Sequence, residues 1–431
     1  MTPVVYVHVG APKSGTTYLQ NVMWHNRELL AAEGVLYPGG DDFSAHVWAA
    51  FDLRGAFFDG HRDPVTRGAW SRLVDEVRAW DGPAVISQEL LSSAYPRHVS
   101  RAMADLDFAE VHLVYTARDL ARQIPAHWQE DVKNRSAMTF GDFVTGLREP
   151  EASRSPWVRE FWRMQDAAGV LERWARDVPP ERVHVVTLPP PGAPTGLLLE
   201  RFCEVVGVDA TQLDTSAVFA NPSLGVAETE LVRRINLASR ETVEWPVHDV
   251  YVKHDLAQSV LTAREGATRI RLPEAYRPWV LERSREMTGA LEEAGYRVVG
   301  DLGDLLPGPT GGSSFSDPDQ VPEAEILDAA LDALAQLLRQ CAVQHRHGAG
   351  EEDGSADLMR EQVARLREDA AHLEALSASP VKQVVRTLSE RNRLVMSARA
   401  AYWRFAETTR RPSPPPSATS PANTPASETR K

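Results

Sequence analysis

Gly10 to Thr17 reads Gly-Ala-Pro-Lys-Ser-Gly-Thr-Thr, directly after the β-branched run around Val4 to Val9 and directly before a helical pattern. A strand, a glycine-containing turn and a helix in that order present unpaired backbone N–H groups and the positive end of a helix dipole, which together cradle an anion. A nucleoside-triphosphate loop of the G-x-x-x-x-G-K-[ST] type places its lysine directly after the second glycine and a hydroxyl on magnesium. Here Gly10 and Gly15 keep the glycine spacing, but Thr16 stands at the lysine position and Lys13 lies inside the turn. Two further β-branched runs end on reactive groups: Pro83 to Ser87 leads to Glu89, and Glu110 to Ala117 ends at Arg118. Open parallel sheets bind ligands beyond the carboxyl ends of their strands, so both side chains fall where a site belongs. A guanidinium fork gives one phosphate two charge-assisted bonds, and a carboxylate accepts a proton from a hydroxyl. His46 and His61, between the first helix and the second strand, are rival bases, whereas His8 inside the first strand reads as structural.

These residues need a sheet to hold them. Apolar runs near Val4, Val85, Val111 and Val183 suit buried parallel strands, and helical patterns alternate with them. The chain therefore reads as α/β, a three-layer parallel sheet flanked by helices. Leu19, Val22, Met23, Leu29 and Leu30 form one helical face, with Gly34 as the stop. Later helices begin near Thr195 and Pro273. The globular domain, 1–306, gives way at 307–322 to a Gly/Ser/Pro-rich linker expected to be mobile. An amphipathic helix follows over 323–346, with Leu327, Leu331, Leu334, Leu338 and Cys341 on a stripe. A second linker spans 347–356. Over 357–406, Met359, Val363, Leu366, Ala370 and Leu373 follow coiled-coil spacing, and a solvated helix pair and a homo-oligomerising stalk both fit. The Pro- and Ser-rich tail, 407–431, has the composition of a disordered segment.

Composition narrows the classes. With 47 basic against 60 acidic residues the net charge is −13, which opposes nonspecific attraction to nucleic acid or an anionic membrane. Any anion must then be held by a local site. Cys203 and Cys341 alone make neither a disulfide framework nor a metal cluster, and a reducing compartment, the cytoplasm, is expected. No stretch approaches a membrane span, and no Cys/His/carboxylate cluster has ligand spacing.

"PKSGTT", Pro12 to Thr17, resembles the 5′-phosphosulfate loop of the sulfotransferases that use 3′-phosphoadenosine 5′-phosphosulfate. The resemblance covers roughly the first 300 residues. It implies the P-loop-like sulfotransferase fold, with Lys13 at the bridging and sulfuryl oxygens and Ser14, Gly15, Thr16 and Thr17 giving backbone and hydroxyl donors to the 5′-phosphate. It implies Arg118 on the 3′-phosphate and Glu89 as the base that takes the acceptor hydroxyl's proton, as in the glycan-modifying members. It implies metal-independent, in-line transfer, because an ammonium beside the leaving phosphate oxygen stabilises the charge that develops there. Two departures stand out. Ala126 occupies the place of a serine that many members use for the 3′-phosphate, leaving Arg122, Gln123 and Trp128 as substitutes for contacts in that region. The late Arg-Lys-Gly motif of the cytosolic small-molecule members is missing, which points to the bacterial or glycan-modifying branches. The acceptor's hydroxyl belongs to a carbohydrate, a lipid or a small metabolite, among which the sequence does not choose. Competing classes are a P-loop kinase or ATPase, which the missing lysine at Thr16 disfavours, and a scaffold acting through the C-terminal helices.

Overall fold

A computed structural model of the chain describes residues 2–55, 63–216, 223–308 and 317–348. Strands β1 (Val4–His8), β2 (Ala84–Ser87), β3 (Glu110–Ala117), β4 (Val183–Thr187) and β5 (Arg297–Val299) form one sheet in the order β2-β1-β3-β4-β5. Every adjacent pair is parallel; Val5 lies opposite Ala84 on one side and Val111 on the other. Parallel neighbours require crossovers, and helices supply them. After β1 come α1 (Thr16–His25), α2 (Arg27–Ala32), α3 (Ala45–Arg54) and α4 (Ala69–Arg78), and α5 (Pro96–Asp105) joins β2 to β3. Between β3 and β4 lie α6 (Leu120–Lys133), α7 (Phe140–Arg148), α8 (Pro156–Gln165) and α9 (Ala167–Trp174). α10 (Leu197–Val206), α11 (Val226–Ser239), α12 (Trp245–His248) and α13 (Arg277–Glu293) precede β5, and α14 (Glu323–Gly348) follows it.

The strands are apolar on both faces because both faces are covered. Val5, Val7, Leu113, Tyr115 and Val185 enter a large core with α5, α6, α9 and α13, while Val85, Val114 and Val186 meet Leu19, Met23 and Phe202 of α1 and α10 on the other side. The chain is thus a three-layer α/β protein with a fully parallel sheet. The strand order reverses between β1 and β3, the topological position at which open parallel sheets form a ligand crevice beyond their strand ends. It is this crevice that the loop after β1 and the end of β3 share.

In several places the local structure differs from the sequence pattern. The helix expected to run to Gly34 is divided at Asn26, whose side-chain amide donates to Val22 O and Asp214 O, both at 2.9 Å, and so ends α1. β5 is a strand of three residues, too short for periodicity to reveal. The described residues between Leu306 and Gln340 belong to the same compact unit as the sheet. Asp319, in the stretch expected to be a mobile linker, accepts hydrogen bonds from the Phe140 and Gly141 backbones at 2.8 and 2.6 Å. α14 then docks through Ile326, Ala329 and Ala333, not through the leucine stripe; Leu327, Leu331 and Leu338 are 37%, 52% and 39% exposed. Small alanines let the helix lie close to Val226 and Ala227 of α11, and Arg234–Glu323 and Arg264–Asp332 pairs, each 2.7 Å, fix its register. Residues 349–431, including the expected coiled-coil segment and tail, lie outside the described residues.

Candidate active site

β1 leads straight into the glycine turn. A Cβ on Gly10 would stand 2.2 Å from Thr116 Oγ1 and 2.5 Å from His8 Nε2, so the absence of a side chain is what lets β1 and β3 converge. Lys13 and Gly15 then adopt left-handed backbone, with φ 66° and 88°. For lysine that conformation costs on the order of 1 kcal/mol and survives only where neighbours enforce it. Three side chains do so: Arg118 Nη1 donates to Lys13 O at 2.9 Å, and Gln165 Nε2, at 3.1 Å, and Gln123 Nε2 both donate to Pro12 O. Beyond Gly15 no side chain caps α1, so its first N–H groups are left to whatever occupies the crevice. Thr16 is buried and Thr17 exposed at that helix end.

Ser14 points inward. Its hydroxyl donates to Ala11 O at 2.6 Å, which leaves its oxygen to accept from Thr116 Oγ1, also at 2.6 Å. Thr116 in turn accepts from His8 Nε2 at 3.2 Å, and Ser87 Oγ donates to His8 Nδ1 at 2.8 Å. One directed hydrogen-bond chain therefore ties β2, β1 and β3 beneath the loop, and it requires a neutral imidazole. Burial supplies that, pushing His8 down to about 3. The Ser14 hydroxyl is therefore committed to holding the turn.

Arg118 leaves the end of β3 and is not paired with Asp119. Asp119 instead caps α6, accepting from Arg122 N at 3.0 Å, and binds the Arg122 guanidinium. The Arg118 Nε is buried with no partner, and burial, with Arg122 nearby, lowers its guanidinium to about 10. A buried cationic donor without an acceptor is a place for an anion. Trp128 is core, 1% exposed, its ring edge-on to Phe140 and its N–H given to Met138 O at 3.0 Å.

α6 brings to the site Gln123, which sequence reasoning had named, and His127 and Glu130, which it had missed. Gln123, His127 and Glu130 recur at four- and three-residue intervals, so they share one face of the helix, but the spacing does not say which way that face turns. Glu130 Oε2 lies 2.5 Å from Lys13 Nζ and 2.6 Å from Lys133 Nζ. Burial would raise its carboxyl, but Lys13, Lys133 and Lys253 outweigh that and hold it well below the usual range. His127, buried and lowered to about 4, shares a 3.1 Å contact with Gln165 and lies 3.5 Å from Asp131. Burial and the adjacent Glu130 raise Asp131 well above an ordinary aspartate.

Glu89 starts the short helical turn after β2, and its Oε2 accepts from Gln20 Nε2 of α1 at 2.8 Å. It is partly exposed, between buried Gln88 and Leu91. Its rival His46 is buried and stacked on Tyr37 at 4.4 Å between ring centroids. The His46 Nδ1 accepts from Ser87 N at 3.0 Å, so Nε2 carries the proton and donates to Pro38 O at 2.7 Å. Burial lowers its pKa further, and with both nitrogens engaged it has no lone pair for a substrate. His61 lies outside the described residues. Among the described residues no three His, Cys, Asp or Glu side chains gather as a metal site.

The architecture defines an α/β protein whose glycine turn after β1, followed by a helix with no side-chain cap, lies at the reversal of strand order. No family model matches the chain, and no curated protein matches it. Among solved structures it is similar to a sulfotransferase from Alicyclobacillus acidocaldarius, at 16% identity and a TM-score of 0.41, over 69% of this chain and 97% of that one. It is also similar to the sulfotransferase domain from the curacin biosynthetic pathway, at 12% identity and a TM-score of 0.28, over 50% of this chain and 80% of that one.

Proposed function

We propose that the chain is a sulfotransferase that moves the sulfuryl group of 3′-phosphoadenosine 5′-phosphosulfate to a hydroxyl of an acceptor, without a metal. The observation that carries this reading is Lys13, set inside the turn on left-handed backbone by Arg118, Gln123 and Gln165, next to an uncapped helix N-terminus. An NTP-binding loop has its lysine one residue past Gly15, and Thr16 there is buried. The donor, when bound, supplies an activated sulfuryl group on a phosphate leaving group. Backbone N–H groups of Gly15, Thr16 and Thr17 would hold its 5′-phosphate, and Arg118, with its unpartnered Nε, its 3′-phosphate. Lys13 offsets charge on the leaving oxygen, and Glu89, oriented by Gln20, accepts the proton of the hydroxyl. Ser14 serves by holding the turn, and Ala126 leaves the 3′-phosphate to Arg118.

Calorimetry with adenosine 3′,5′-bisphosphate in the presence of a chelator tests the binding half. Wild type should bind in the micromolar range and Lys13→Met at least about tenfold more weakly. Binding of magnesium-ATP in place of the bisphosphate would establish the kinase reading instead. With a sulfur-35-labelled donor and extracts of the source cell, Glu89→Gln should retain nucleotide binding yet lose about a hundredfold or more in label transfer. Undiminished transfer would remove Glu89 as the base.

A further inference from the structure

Lys13 is not idle in the resting protein. Its ammonium is held by Glu130, and the same oxygen of Glu130 also holds Lys133. The two lysines are unequal: the Lys133 side chain is 5% exposed and that of Lys13 25%. A buried ammonium stripped of its counter-charge is costly, so the carboxylate is bound to stay with Lys133. The more exposed ammonium, on the turn that faces the crevice, is the one that exchanges partners. Burial, with Lys13 close by, already pushes the Lys133 ammonium down, which marks how much that group depends on Glu130.

We propose that Glu130 is a resting counter-ion for Lys13, a positioning residue that competes with an incoming anion for the loop ammonium and yields it while remaining on Lys133. Glu130 and Lys133 sit one turn apart on α6, whose first turn follows Arg118, so the element that carries the counter-ion also adjoins the second anion contact. The identity of the anion rests on the sulfonucleotide reading above; the exchange itself does not. An anion weaker than the carboxylate leaves Lys13 parked, so the device sets a threshold on which ligands engage the ammonium.

The competition gives an unusual sign. Glu130→Gln removes the competing charge but keeps an oxygen for Lys133, and should tighten binding of adenosine 3′,5′-bisphosphate and of inorganic phosphate by about tenfold. Glu130→Asp, with a shorter reach to Lys13, should tighten both about threefold. Lys133→Met removes the buried lysine from the carboxylate, leaving it to Lys13 and the charge of Lys253, and should weaken both severalfold, and adding Glu130→Gln to it should reverse the loss. Damage to the fold weakens binding, so tightening separates the proposal from a structural role. If the bisphosphate binds wild type and the Glu130 variants equally, or the variants more weakly, the counter-ion role is overturned while the sulfonucleotide reading stands. If phosphate binding tightens but neither protein binds the bisphosphate, the counter-ion role stands and the sulfonucleotide reading falls. Failure of both probes with every variant overturns both.

Discussion

Gly10→Ala puts the geometry of the loop to a direct test. The new methyl would sit 2.2 Å from Thr116 Oγ1, 2.5 Å from His8 Nε2 and 2.9 Å from the Thr116 backbone nitrogen. The last of these belongs to a strand that the sheet fixes, so the clash cannot be relieved by a side-chain rotation. Overpacking of this kind costs about 1–3 kcal/mol. Displacing Thr116 Oγ1 also breaks its bonds to His8 and Ser14, at about 1 kcal/mol each. Together these come to about 3–5 kcal/mol, and with a urea m-value of about 3 kcal/mol/M the midpoint should fall by about 1–1.7 M. Gly34→Ala is the internal control: φ is 86°, but nothing lies within 4 Å of the added carbon, so only the backbone penalty of about 1–2 kcal/mol applies. Tryptophan fluorescence in urea, with refolding checked, compares the two. A Gly10→Ala midpoint equal to or above that of Gly34→Ala would refute the argument that close approach of β1 and β3 dictates the glycine.

Two more outcomes follow from the same structure. His8 is held neutral down to about 3 against an ordinary value of 6.5, so the unfolded chain binds the proton more readily; its contribution is full above about 6.5 and is lost as pH falls towards 3. The urea midpoint of His8→Gln should therefore decline less steeply than that of wild type between pH 6.5 and 4, and parallel declines would show that the neutral ring does not carry the chain through Thr116 and Ser14. On α14, Ala329→Asp buries a charge at a fully covered site and should lower the stability by several kcal/mol, whereas Leu331→Asp on the open face should stay within about 0.5 kcal/mol. The reverse order would mean that the leucine stripe, not the alanine face, is the docked side.

Local chemistry was legible. Gly10 and Gly15, the β-branched runs of β1 to β4 and the strand-end Arg118 and Glu89 are all short-range patterns, and each lies where its pattern implies. The division at Asn26 was not legible, because its partner Asp214 is distant in sequence. Nor was the docked face of α14: its leucines make the stronger stripe, but the surface offered by Val226 and Ala227 accepts a flat alanine face. His46 looked available from its position, and only the backbone of β2 shows that its lone pair is spent on Ser87.

The sequence by itself determined the composition of the turn after β1, with Gly10 and Gly15 at its ends and Lys13 within. Tertiary structure alone decided what that lysine faces. Glu130 is 117 residues away along the chain, brought to Lys13 by the parallel pairing of β1 with β3, and no periodicity records which helix face a crossover turns toward a loop. Residue types and spacing are fixed along the chain, whereas the backbone that Lys13 adopts and the charge it meets are set by neighbours in space.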